Sequence, residues 1–97
     1  MTDFEWDEAK NRANQAKHGV SFQSAQYAFA DPKRVIAEDL GHGKVEPRYY
    51  CFGRVRKGIV TVCFTHRHKK IRIFAAGYWR KGKEILNNGS NGSVYRR

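Results

Sequence analysis

The densest concentration of groups able to act on a phosphodiester is the run His66-Arg67-His68-Lys69-Lys70, with Arg72 just beyond it. Arginine carries a permanent charge on a planar fork that matches phosphate oxygens. Cations of this kind suffice to cleave RNA. The site must hold the 2′-hydroxyl in line with the adjacent phosphorus and stabilise charge building on the phosphoryl oxygens. Arg67 and Arg72 are the candidates for that work, and His66 and Lys70 for holding the strand. Tyr78 and Trp79 offer rings on which exposed bases stack, or side chains for a core. Arg80 and Lys81 extend the positive charge past them. His18 follows Lys17 at the end of a helical stretch. An imidazole suits proton transfer, although a cation there also serves as a helix cap. The sequence holds no glycine-flanked serine elbow, phosphate-cradling glycine loop or paired metal motif. His66 and His68 are spaced for one strand face, but no neighbouring carboxylate or cysteine completes a metal set. The residues therefore point to a site that uses neither metal nor cofactor.

The charge around these residues has a location. Nineteen Lys and Arg oppose nine Asp and Glu, a formal net charge of +10 on 97 residues. Eight of the nine acids precede Pro47, and Glu84 is the only one after it. A solvated face usually mixes signs, whereas the second half of this chain does not. Neutralising phosphates releases condensed counterions, so a polyanion is the natural partner. Nucleic acid or an acidic protein fits better than a membrane surface, because no long basic amphipathic helix is present. No run approaches the roughly 18 apolar residues of a membrane span. The start, Met1-Thr2-Asp3-Phe4-Glu5, is acidic where a signal peptide is basic and then apolar. Cys51 and Cys63 lie within apolar segments and read as reduced, buried thiols. A cytoplasmic protein is expected.

The elements that must position these groups follow from local pattern. Phe4-Glu5-Trp6 is an extended lead-in, and Asp7 is placed to cap a helix from Glu8 to Lys17. Ala9, Ala13 and Ala16 give that helix a narrow small-residue face, and Gly19 is its stop. Ser21 caps a second helix to about Phe29, with Phe22, Ala25, Ala28 and Phe29 on one stripe; Asp31-Pro32 ends it. Strands are expected at 35–37, 48–54, 59–67 and 71–76, joined by a polar connector at 40–47, a hairpin at 56–58 and a turn at 68–69. Val60, Val62 and Phe64 share one face of the third strand, and Lys70, Arg72 and Phe74 one face of the fourth. A short third helix covers 79–86, and 87–97 reads as a flexible tail. The expected architecture is α+β: one domain over 1–86, helix–helix, a meander of about four strands, then a short helix in two layers.

Phe4-Glu5-Trp6-Asp7-Glu8-Ala9-Lys10-Asn11, then Asn14, then Lys17-His18-Gly19-Val20-Ser21-Phe22, closely resembles the opening of the BrnT toxins. Ala28-Phe29-Ala30-Asp31-Pro32, the strand from Arg48 to Gly53, Thr65-His66-Arg67 and Ile71-Arg72-Ile73 follow the same family order, over roughly residues 4 to 86. The resemblance implies a RelE-like fold, with two N-terminal helices on a twisted, mainly antiparallel sheet and a short C-terminal helix. It implies a ribonuclease toxin of a type II toxin–antitoxin pair, inhibiting translation and neutralised by a BrnA-type antitoxin. That antitoxin carries its own DNA-binding domain, so DNA is met only indirectly. By matched position it marks Lys17 and His18 as catalytic candidates, to which Arg67 of the strand-end motif and Arg72 of the following strand are added. His66, Lys70, Tyr78, Arg80 and Lys81 are read from their own chemistry as contacts to RNA. Two departures stand out. Gly77 occupies a place where the family commonly has arginine, and His66 one where an acid is common. They raise a second expectation, of a non-catalytic member that binds its antitoxin and acts with it as a co-repressor. A free DNA-binding protein is less expected, since no helix has a recognition-helix pattern.

Overall fold

Each of the first two helices is started by an oxygen in the place the sequence indicates. The computed structural model describes residues 3–39, 46–56 and 58–87. Asp7 accepts from the amides of Ala9 (2.8 Å) and Lys10 (3.2 Å) and opens α1 (Glu8–His18). Gly19, at φ 74°, closes it by donating to the Gln15 carbonyl at 2.9 Å. Ser21 accepts from the Ser24 amide at 3.1 Å and opens α2 (Phe22–Ala25). The second helix differs from expectation in form: one α-turn tightens into a 3-10 segment, Gln26–Ala30. Its stripe is nevertheless turned inward, with Phe22, Ala25 and Ala28 buried and Phe29 packed against them.

The sheet corrects the expected count. Among the described residues it has five strands and is mixed, in the order β1-β5-β4-β3-β2. They are β1 (Asp3–Glu5), β2 (Val35–Asp39), β3 (Arg48–Val55), β4 (Gly58–Arg67) and β5 (Lys70–Gly77). The extra strand is the lead-in, which pairs parallel with β5 and sets Glu5 opposite Arg72. The remaining pairings are antiparallel. His68 and Lys69 form the β4–β5 turn with φ of 52° and 66°. The shift in register between Cys63 and Phe64 leaves Phe74 unpaired in a bulge between Ile73 and Ala75.

Two apolar clusters, one on each side of the sheet, place the helices. Val60, Val62, Phe64, Ile71 and Ile73 face α2 and the 3-10 segment. On the opposite side Val35, Ala37 and Phe52 meet Ile85 and Leu86 of α3 (Arg80–Asn87). The expected two-layer sandwich is thus covered on both sides, and α3 overlies only one end of the second face. A further difference concerns α1. Ala9, Ala13 and Ala16 are exposed, and its buried residues are Asn11 and Asn14. The Asn11 carboxamide accepts from the Phe22 amide at 2.8 Å and donates to Gln23 Oε1 at 3.0 Å. The Asn14 carboxamide donates to the carbonyls of Val20 (3.1 Å) and Ala76 (2.9 Å), and accepts from the Ala76 amide (3.2 Å). Satisfying backbone groups at the β5 edge outweighs burying three methyls. The tail expected from Asn87, beyond that residue, lies outside the described residues, as do 40–45 of the polar connector.

Candidate nucleic-acid interface

The sheet face that α3 leaves open is the place where the cations converge. Pairing puts Arg67 opposite Lys70 and Thr65 opposite Arg72, so all four side chains share this face. Alternation along β3 adds Arg48 and Tyr50. Arg48 lies over the Phe74 ring at 4.8 Å from its centroid, and Lys10 reaches the same ring from α1 at 5.9 Å. Thr65 donates its hydroxyl to the Pro47 carbonyl, fixing the approach to β3.

Acids of the N-terminal half meet these cations. Glu46 accepts from Arg67 at 2.6 Å, and Glu5 stands 3.5 Å from Arg72. Tyr50 donates its phenol to buried Asp39 at 2.9 Å. Neither arginine is therefore an open charge in the free protein. Each is held by a half-exposed carboxylate that a phosphate has the same chemistry to replace.

The other expected residues sit elsewhere. His66 points to the opposite face, against the rings of Tyr49 and Phe64 (both 5.6 Å between centroids). Lys17 is exposed at the end of α1, and the His18 ring stands edge-on to Trp79 at 5.1 Å. Trp79 follows the far end of β5, and Gly77 lies five residues beyond Arg72, roughly 15 Å of strand. The structure thus brings Arg67, Lys70 and Arg72 together and sets Lys17, His18, Tyr78, Arg80 and Lys81 apart from them. Direct proton transfer between the groups is out of reach.

Tyr78, Arg80 and Lys81 border two clefts. One, of about 350 Å³, lies on the open face beside α3 and is lined by Tyr50, Phe52, Cys63, Ala75, Trp79 and Lys81, among others. The other, of about 220 Å³, is lined by Arg54, Gly58, Tyr78, Trp79, Arg80 and Lys83, with Ile59. A Cβ at Gly77 would lie 2.6 Å from the Trp79 indole, so the volume an arginine at that position needs is filled by this ring. Cys51 is buried, and desolvation pushes its thiol up to about 12, too high for a thiolate at neutral pH. Among the described residues, no three His, Cys, Asp or Glu side chains cluster as a metal ion requires, and no helix is long and apolar enough to cross a membrane.

Arg48, Phe74, Glu5 and Glu46 join this face although their types and spacing mark none of them as site residues. Strand pairing and the bulge bring Arg48, Phe74 and Glu5 there, and the ion pair with Arg67 brings Glu46. Alternation was the signal available, setting Phe74 with Lys70 and Arg72, and Arg48 with Tyr50. Residues 6–83 match a family model for the ribonuclease toxin BrnT of type II toxin–antitoxin systems. No curated protein matches the chain.

Proposed function

The chain belongs to the BrnT family of ribonuclease toxins of type II toxin–antitoxin systems, and from that premise we propose that it cuts RNA on the open face of its sheet without a metal ion. The observation that carries this reading is the convergence of Arg67, Lys70 and Arg72 on one face, at an end that α3 does not overlie. RNA phosphate displaces Glu46 and Glu5 from the two guanidinium forks. The forks then stabilise the charge that develops as the 2′-oxygen attacks phosphorus and the 5′-oxygen leaves. The 2′-oxygen loses its proton to water and the 5′-oxygen takes a proton from water, giving a 2′,3′-cyclic phosphate. Lys70 and Arg48 anchor flanking phosphates. Lys17 and His18, beside Trp79, contact the strand away from the reacting phosphate.

The reading extends to the cell. The chain acts in the cytoplasm on translated RNA and is neutralised by an acidic BrnA-type antitoxin, through which alone it meets DNA. Its support is the charge of +10 together with the type II family assignment.

The test is cleavage by purified protein in the presence of a chelator. Arg67→Ala and Arg72→Ala are each expected to lower the cleavage rate at saturating RNA by a factor of about 100, the scale of losing one oxyanion donor, with a smaller loss of affinity. RNA that is bound yet stays intact would reject catalysis. The neutralising pairs Glu46–Arg67 and Glu5–Arg72 favour the alternative in that event: a binding member acting with its antitoxin as a co-repressor.

A further inference from the structure

Trp79 is a wall shared by two clefts of opposite character. On one side Tyr50, Phe52, Cys63 and Ala75 give an apolar floor. On the other, Arg54, Arg80 and Lys83 surround the ring of Tyr78. Both wall aromatics are unusually exposed for their size, Trp79 at 38% and Tyr78 at 49%. Each is also seated on a glycine. A Cβ at Gly77 would meet Trp79, and one at Gly58 would meet Tyr78, both at 2.6 Å. The His18 ring supports Trp79 from the sheet edge at 5.1 Å. The rings are thus fixed against backbone before any ligand arrives, which lowers the ordering cost of stacking on them.

Charge identifies the occupant. No carboxylate is among the described residues lining either cleft, in contrast to the patch where Glu46 and Glu5 face the arginines. Arg80 and Lys83 make no ion pair among the described residues. An apolar slot with an exposed indole, adjoining a cationic cleft, matches the alternation of flat base and charged phosphate in a single-stranded nucleic acid. We infer that Trp79 divides a nucleotide subsite, with a base of single-stranded RNA in the apolar cleft and its neighbouring phosphate in the cationic one. The inference rests on the RNA-directed reading above and adds a second point of attachment, roughly 15 Å along β5 from Arg72. Two such points set the path of the strand across the open face.

A fully 2′-O-methylated oligoribonucleotide is the probe, because its blocked 2′-oxygen prevents cleavage and leaves binding alone to be read. Titrated into the full chain, it is expected to quench tryptophan fluorescence, and the quench should be absent in Trp79→Phe, where Trp6 remains. Trp79→Ala is expected to weaken binding about tenfold. Arg80→Ala and Lys83→Ala are each expected to flatten the dependence of log affinity on log salt by about 0.7. Bound oligonucleotide should also slow alkylation of Cys63, which lines the apolar cleft. The double variant Arg67→Ala/Arg72→Ala should keep the Trp79 quench, so loss of cleavage and loss of this subsite are separable. Trp79→Phe that melts like the wild type supplies the folding control. Oligonucleotide binding with no Trp79 quench, no Cys63 protection and an unchanged Trp79→Ala affinity would overturn the subsite. So would a Trp79 quench by an acidic peptide but not by the oligonucleotide, since the clefts would then seat a protein partner.

Discussion

Glu46 stands 2.6 Å from Arg67, and RNA must displace it to reach that guanidinium. Both side chains are partly exposed, so the pair belongs with ion pairs worth about 0.2–1 kcal/mol. Glu46→Gln is therefore expected to tighten RNA binding about two- to fivefold, read from titrations at several salt concentrations; unchanged or weaker binding would contradict the competition. Gly77 makes a second argument at this scale. An arginine there must evict the Trp79 indole, which a bare Cβ already approaches to 2.6 Å. Gly77→Ala should cost about 1–3 kcal/mol through overpacking and expose the indole, seen as a lower melting temperature with a red-shifted fluorescence maximum. A variant as stable as the parent would mean that Trp79 yields freely. Residue types in the sequence gathered Arg67 and Arg72 at one hairpin, and strand pairing is what sets them on one face. The types gave no hint of Glu5 and Glu46, because a carboxylate facing an arginine across strands leaves no spacing to read.

At the scale of elements, Asn14 joins α1 to the end of β5 through two hydrogen bonds with Ala76, and a third goes to the Val20 carbonyl. β1 pairs with β5 only from Lys70 to Arg72, so the edge at Ala76 depends on this carboxamide. Asn14→Ala strands buried backbone donors and acceptors, each costing about 1–3 kcal/mol. The expected loss is about 2–4 kcal/mol in denaturant unfolding, with faster amide exchange at Ala76; a loss below 1 kcal/mol would mean that water replaces the side chain. The β4–β5 turn offers the reverse change. His68 and Lys69 both adopt positive φ, which disfavours any residue with a Cβ. Lys69→Gly should stabilise by several tenths to about 1 kcal/mol, measured as a higher unfolding midpoint. The caps at Asp7, Gly19 and Ser21 were legible because capping is local chemistry. The buried face of α1 was not, since periodicity counts apolar side chains and this helix buries amides. A strand as short as β1 carries too little alternation to separate it from a lead-in.

For the molecule as a whole, charge and acid sensitivity are linked. The second layer is tied to the sheet at Asp31, whose carboxylate accepts from the amides of Arg54 and Lys33, both at 2.8 Å. The Arg54 amide, then that of Lys33, hold the carboxyl below its ordinary range. A carboxyl depressed on folding contributes stability that is present above its unfolded pKa of about 4. That contribution is lost as pH falls through the folded value, because the unfolded chain binds the proton first. Protonating acids and histidines also raises a net charge that is already +10, which adds self-repulsion over the same range. The two effects differ in their response to salt. Repulsion between exposed charges is screened, whereas the short hydrogen bonds to Asp31 are screened much less. Asp31→Asn should accordingly lower stability at neutral pH and flatten the fall below about pH 4, in high as well as low salt. Salt should reduce the steepness of the remaining decline in both proteins. Stability curves for the two that stay parallel through acid pH would show that net charge alone governs the loss.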